Sequence, residues 1–186
     1  VKQYTAGLMS RYIHELLVGE MALIQGPITG KIKSKHLAGN GQPHTILCIG
    51  AGTGVLTFFD LIADFCQTAT PCPEDTLVRP TFDQLHIILL CSFPSSAEII
   101  QSQWLQRCTQ STPKFELVIY VQNKLAGQVW NGPTGHITPH VMTQLFAIKE
   151  EEHKPISHTF LSGPPRFEFD LLELFAQLGV ENVDTC

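Results

Sequence analysis

The chain has 186 residues, of which 44% are hydrophobic and 16% are charged, and this composition is that of a globular protein with one full core rather than a disordered chain. The formal net charge of −5 at pH 7 argues against a nucleic-acid-binding protein, because such proteins usually present a basic face to the phosphates. Apolar runs such as "IILL" are far too short to cross a bilayer as a helix.

The first 44 residues differ in pattern from the rest of the chain. They look like a strand, a helical turn and a second strand. From residue 45 onward, strand and helix patterns alternate. Apolar runs typical of parallel strands covered on both faces occur at 45–50, 85–91, 115–121 and 158–163, and "ENVDTC" (181–186) predicts a fifth strand at the sheet edge.

Helix and loop signals fill the intervals between the first three strands. Apolar residues recur at helical spacing from Val55 to Phe65, whereas the stretch 68–81 has three prolines and two acidic residues and is a predicted loop. Ser95, with Glu98 three residues later, forms a capping box. This pair predicts a helix that begins there and continues through Leu105.

Two further helices are predicted after the third strand. The sequence "NGPTG" (131–135) is typical of a turn, and Thr138 followed by Pro139 predicts the cap and first turn of a helix. Pro164–Pro165 begins the last helix, which Gly179 ends. Strands that alternate with such helices predict an α/β fold with a doubly wound, parallel, five-stranded sheet.

The cysteines and histidines do not form a recognisable metal centre. No cysteine pair has C-x-x-C spacing, and a chain with a core of this size does not need disulfides, so we expect reduced thiols and a cytoplasmic location. The sequence begins at Val1 without an initiator methionine, so attachment to the cytosolic face of a membrane through upstream residues stays open. His136 and His140 lack a third ligand of matching spacing, and we predict no metal site.

The stretch "ILCIGAGTGVLT" (46–57) has two interpretations. It looks like the first motif of S-adenosylmethionine methyltransferases, and also like the pyridine-nucleotide loop of flavin reductases. It does not match the dehydrogenase fingerprint G-x-G-x-x-G, because Val55 takes the place of the last glycine. Methyltransferases usually have an acidic residue where Cys48 stands, and another at the end of the second strand, where no carboxylate occurs before Glu98. The methyltransferase is therefore the less favoured alternative.

Four other stretches favour the flavin reductase. They are "AGLMSRY" (6–12), "GEMALIQGPITG" (19–30), "NGPTGHITP" (131–139) and "LSGPPRF" (161–167). Together with "GAGTGV" they follow, over nearly all of the chain, the order of motifs in one family. The chain resembles the C-terminal part of a cytochrome b5 reductase-like flavoprotein of the ferredoxin–NADP reductase superfamily. The resemblance implies that residues 1–44 are the incomplete end of an antiparallel, FAD-binding β-barrel and that 45–186 form the NAD(P)-binding domain.

The resemblance also implies which residues bind the cofactors. Backbone amides at a helix start would hold the FAD diphosphate, since they offer free N–H groups to a phosphate, and these residues are Gly7, Leu8, Met9 and Ser10. The glycine loop, Gly52, Thr53 and Gly54, would let the nicotinamide dinucleotide approach the backbone, and Ser92 and Phe93 would lie near its adenosine half. Gly163, Pro164 and Pro165 would shape the nicotinamide shelf, with Ser162 as the catalytic residue beside the point of hydride transfer.

The function implied is that of an NAD(P)H-dependent FAD-containing reductase. Electrons would pass from NADH or NADPH through FAD to a one-electron haem-protein acceptor, such as a b-type cytochrome, with no nucleic acid as partner. The sequence departs from the family at four places. The upstream flavin motif is not within the given residues, Leu56-Thr57 replaces a Thr-Pro pair, Ser162 replaces a cysteine, and Cys186 stands at the end in place of a terminal aromatic residue. The loss of the Thr-Pro pair and of the cysteine leaves open a second alternative, a catalytically degenerate reductase-like binding or scaffold module.

Overall fold

The computed structural model describes residues 8–22, 32, 37, 42–68, 82, 84–123 and 129–186. The body of the protein is a five-stranded sheet. Its strands are β1 His44–Ala51, β2 Leu85–Phe93, β3 Phe115–Val121, β4 Ile156–Ser162 and β5 Val183–Thr185. All neighbouring strands pair in parallel, in the order β3-β2-β1-β4-β5. The predicted α/β class and the doubly wound five-stranded sheet are confirmed.

The helices lie between the strands, as the alternation of patterns predicts. They are α1 Leu8–Glu15, a 3₁₀ helix Gly52–Phe58, α2 Phe59–Thr68, one 3₁₀ turn Ser96–Glu98, α3 Ser102–Ser111, α4 Pro139–Glu151 and α5 Pro165–Gln177. The predicted cap of α4 is present, because the backbone amide of Val141 donates to the Thr138 hydroxyl at 3.4 Å. Gly179 follows α5 with φ +67°, in the left-handed region that glycine favours. The predicted loop at 68–81 lies, apart from Thr68, outside the described residues.

The predicted capping box does not begin an α-helix. The Ser95 hydroxyl donates to the Glu98 carboxylate at 3.3 Å, but Ser95 makes no capping hydrogen bond, and only a single 3₁₀ turn follows. Ile99 is extended, with ψ 116°, and Gln101 has φ +52°, so the chain leaves helical geometry twice before α3 begins at Ser102. The prediction of a helix from Ser95 was wrong because local side-chain chemistry does not decide whether the next residues stay helical.

The core consists of two layers, one on each face of the sheet. Side chains alternate along β1, so that Ile46 and Cys48 face the layer under α2 and α3, whereas Leu47 and Ile49 face the layer under α4 and α5. Burial on both faces explains the nearly continuous apolar runs of β1 and β2.

Among the described residues, Cys48, Cys91 and Cys108 are not in disulfides, and Cys72 lies outside those residues. Cys48 and Cys91 belong to the core layer under α2 and α3. Burial raises the pKa of the Cys91 thiol to about 12, so this thiol is uncharged at neutral pH and serves as a small apolar group.

The prediction of a barrel remnant at 1–44 is not tested. Of that region the structure describes α1 and the residues up to Ala22, which contain no strand, together with a few residues closer to β1. The predicted first strand and most of the predicted second strand lie outside the described residues. No helix within the described part of the chain is long and apolar enough to cross a membrane.

Candidate functional site

A cleft of about 620 Å³ opens at the carboxyl ends of β1, β2, β3 and β4. Strand order reverses here, because β2 and β3 extend the sheet from one side of β1 and β4 and β5 from the other. The chain leaves β1 and β4 in different directions, and the space between them is where doubly wound proteins bind ligands. The lining residues are Ala51, Gly52, Thr53, Gly54, Ser92, Pro94, Glu98, Gln122, Ser162, Gly163, Pro164 and Pro165.

The cleft brings together most of the predicted dinucleotide-binding residues. Those from the glycine loop, the end of β2 and the loop after β4 all line it, namely Gly52, Thr53, Gly54, Ser92, Ser162, Gly163, Pro164 and Pro165. Phe93 does not. Its side chain is fully buried in the core layer under α2 and α3, because the residue after Ser92 in a strand points to the opposite face. The position of Phe93 near the adenosine half of a dinucleotide stays a prediction, but its side chain does not line the cleft.

Two glycines of the loop are needed for different reasons. Gly52 has φ +54°, and no atom lies within 4 Å of the position that a β-carbon would occupy there, so its open side faces free space. At Gly54, by contrast, a β-carbon would lie 2.8 Å from the Cα of Gly163 and closer still to the carbonyl oxygen of Ser162. The number of glycines is therefore weaker support for a ligand than the sequence suggested, since packing alone requires Gly54.

The loop after β4 is held from both sides. Ser162 is only 5% exposed, and its hydroxyl oxygen lies 2.9 Å from the hydroxyl oxygen of Thr57 in the 3₁₀ helix. The next backbone amide, that of Gly163, donates to the carboxylate of Glu168 at 2.9 Å. Thr57 and Glu168 were not among the predicted site residues. Glu168 could have been predicted, because it is an acidic residue in the first turn of α5, where a carboxylate is favoured. No pattern near Thr57 indicates that it contacts Ser162.

The opposite wall of the cleft is formed by residues at the ends of β2 and β3. The side-chain amide of Gln122 donates to the Ser92 hydroxyl at 3.3 Å. Sequence reasoning missed Gln122, although a polar residue directly after a parallel strand is expected at this edge. Among the described residues that line the cleft, the only ionisable side chain is Glu98, and none is a lysine or an arginine.

Comparison with known proteins shows what this chain is similar to. No protein-family model matches the chain. It is 25% identical over 182 residues, which are 98% of the chain and 51% of the relative, to the uncharacterized oxidoreductase AIM33 of Saccharomyces cerevisiae. It is 26% identical over 189 residues, covering 96% of the chain and 53% of the relative, to NADH-cytochrome b5 reductase 2 of Aspergillus clavatus. The chain thus spans about half the length of these curated relatives.

A solved structure has a similar fold. The structure of the CS-b5R domains of human Ncb5or in its NAD⁺ form matches the whole chain and 47% of that protein, with a TM-score of 0.77 and 18% identity. The chain is therefore similar in sequence to an oxidoreductase and to an NADH-cytochrome b5 reductase, and it has the fold of the cytochrome b5 reductase-like structure. The resemblance predicted from the five motifs is confirmed.

The predicted flavin site of this reductase-like chain lies mostly outside the described residues. Gly7 is not described, and neither are the side chains of Met9 and Ser10. Leu8 is the first residue of α1, and its side chain is 77% exposed. The assignment of Gly7, Leu8, Met9 and Ser10 to the flavin diphosphate therefore stays a prediction.

A second, smaller cavity of about 340 Å³ adjoins the cleft of this reductase-like domain. It shares Ser92 and Gln122 with the cleft, and His136, Phe167 and Asp170 are among its other lining residues. Within the described ranges, no group of three or more histidine, cysteine or acidic side chains is placed to hold a metal ion.

Proposed function

We propose that the complete protein is an NAD(P)H-dependent, FAD-containing oxidoreductase and that the cleft binds its nicotinamide dinucleotide. The supporting observation is the position of the cleft at the carboxyl ends of β1 and β4, where the strand order reverses. It lies between Gly52, which has free space beside it, and the buried Ser162. The relatives named as oxidoreductase and as NADH-cytochrome b5 reductase support the same reaction class. The acceptor proposed is a haem protein that takes one electron at a time, such as a b-type cytochrome.

The cleft suits a dinucleotide in three respects. Gly52 leaves room for a pyrophosphate to approach the backbone, since a side chain there would project into free space. Pro164 and Pro165 form a stiff wall, and the Ser162 hydroxyl is a buried polar group at the end of β4. When bound, the nicotinamide and the flavin supply the hydride and electron chemistry, and the protein positions them. FAD itself would be held by the predicted residues Gly7, Leu8, Met9 and Ser10.

We further propose that NADH is preferred over NADPH. The carboxylate of Glu98 lines the cleft near the end of β2, and none of the lining residues described is a lysine or an arginine. A carboxylate can accept hydrogen bonds from ribose hydroxyls and repels the extra phosphate of NADPH, whereas NADPH-binding sites usually supply an arginine.

Glu98→Gln is expected to reduce the preference for NADH by about fivefold, mainly by improving NADPH binding, because removal of an exposed charge has a modest effect. Dissociation constants for both nucleotides, measured at low ionic strength, would show the change. Glu151→Gln at the end of α4 removes the same charge outside the cleft and serves as the matched control. An unchanged NADH-to-NADPH ratio in the Glu98 variant would contradict the assigned role.

The proposed function is tested by a visible absorption spectrum of the full-length protein, before and after adding NADH without oxygen. A flavin spectrum that bleaches on addition is the expected result, and subsequent reduction of a b-type cytochrome would support the proposed acceptor. A folded protein without flavin would instead favour the binding or scaffold alternative.

A further inference from the structure

The turn after β1 has a geometry that aligns two of its residues on one face. Residues Gly52–Phe58 form a 3₁₀ helix, in which side chains three positions apart are eclipsed. Gly54 and Thr57 are three positions apart and therefore lie one above the other. In an α-helix the same two residues would be offset around the axis.

This shared face packs against the end of β4. Gly54 lies directly against the peptide between Ser162 and Gly163, where even a methyl group would overlap backbone atoms. That close approach brings Thr57 to Ser162, with 2.9 Å between their hydroxyl oxygens. Thr57 is exposed and does not line the cleft, whereas Ser162 is buried and does. Thr57 therefore contacts Ser162 from outside the cleft.

Two hydroxyl groups that share a hydrogen bond can offer a ligand either a donor or an acceptor. When Thr57 donates to Ser162, the Ser162 proton is left to be donated into the cleft. When Ser162 donates to Thr57, the Ser162 oxygen is left to accept a hydrogen bond. The carboxamide of nicotinamide has both a carbonyl acceptor and an N–H donor, so it matches either state of the pair.

We propose that Thr57 is a positioning residue that orients the Ser162 hydroxyl toward the nicotinamide carboxamide. The proposal rests on the proposed function, since it requires that the cleft bind a nicotinamide dinucleotide. Thr57 does not touch the ligand and acts only through Ser162. Its loss should therefore affect recognition of the nicotinamide half and leave recognition of the ADP-ribose half unchanged.

The test compares the binding of NAD⁺ with that of ADP-ribose, which lacks the nicotinamide, by calorimetry on the full-length protein. Thr57→Val removes the hydroxyl and keeps the side-chain shape, and it is expected to weaken NAD⁺ binding by about fivefold without changing ADP-ribose binding. Thr57→Ser should restore wild-type NAD⁺ binding. Thr109→Val is the matched control and should change neither affinity, because Thr109 is a partly exposed threonine of α3 whose hydroxyl donates to the Gln106 carbonyl.

A double variant separates positioning from general damage. Thr57→Val combined with Ser162→Ala should bind NAD⁺ no more weakly than Ser162→Ala alone, because Thr57 has no further role once the serine hydroxyl is absent. Equal weakening of NAD⁺ and ADP-ribose binding, or no change in either, would overturn the role of Thr57. Failure of the wild-type protein to bind both ligands would overturn the proposed function itself.

Discussion

Gly54→Ala is expected to be strongly destabilised, whereas Gly52→Ala is expected to lose less stability and to bind NADH weakly. The two glycines are two positions apart in the same 3₁₀ helix, but their surroundings differ. A β-carbon at Gly54 would overlap the carbonyl oxygen of Ser162 and lie 2.8 Å from the Cα of Gly163. These are backbone atoms of β4 and its loop, and they can move only if the strand end moves.

The expected free-energy costs follow from those surroundings. Overpacking of a tight site usually costs about 1–3 kcal/mol and sometimes more, and the rigid backbone at Ser162 places Gly54→Ala at the upper end. Such a loss is large against a typical unfolding free energy of about 5–15 kcal/mol. At Gly52 the φ of +54° is unfavourable for alanine by roughly 1–2 kcal/mol, but no atom lies within 4 Å of the new methyl group.

Urea unfolding and NADH titration of both variants would distinguish the two roles. Gly52→Ala should unfold at a slightly lower urea concentration than the wild type, and its NADH affinity should fall markedly because the methyl group would occupy the space proposed for the pyrophosphate. Normal stability of Gly54→Ala would show that the loop after β4 can shift. Wild-type NADH affinity of Gly52→Ala would show that the open side of the turn does not face the ligand.

Phe58→Ala is expected to destabilise the protein by about 3–5 kcal/mol. Phe58 is the last residue of the 3₁₀ helix and is fully buried in the core layer under α2 and α3. Its ring anchors the turn that places Thr57 and Gly54 against β4. Removing it therefore leaves a cavity in that core layer.

Phe169→Ala is the matched control. This ring lies on α5 and is 66% exposed, so its loss should change the unfolding free energy by about 0.5 kcal/mol or less. Chemical denaturation of the wild type and both variants measures the difference. If the two substitutions cost the same, Phe58 does not anchor the turn.

Much of the fold could be predicted because its signals are local. A strand buried on both faces must be apolar at nearly every position, so β1 and β2 are visible as continuous runs. The cap at Thr138 and the stop at Gly179 depend on chemistry within one helical turn. The capping box at Ser95 had the same local chemistry, but the extended backbone at Ile99 ended the helical geometry after one turn.

The candidate site could be predicted only in outline. Parallel strands end at one edge, so the glycine turn and the loop around Ser162 were expected to meet there, and they do. Phe93 does not line the cleft as Ser92 does, because one residue of displacement along a strand reverses the direction of the side chain, and its place near the adenosine stays a prediction. Gln122 was missed although its position directly after β3 was a signal, whereas its hydrogen bond to Ser92 at the end of β2 follows from no local pattern.

The sequence by itself determined the fold class, the order of strands and helices along the chain and the resemblance to cytochrome b5 reductases, because periodicity and short motifs are properties of neighbouring residues. Only the tertiary structure decided why Gly54 must be glycine and what Thr57 contacts. Thr57 and Ser162 are 105 positions apart, and their hydroxyls meet only because the turn after β1 is a 3₁₀ helix packed against the end of β4. A hydrogen bond of that kind depends on distances through space, which no pattern along the chain specifies.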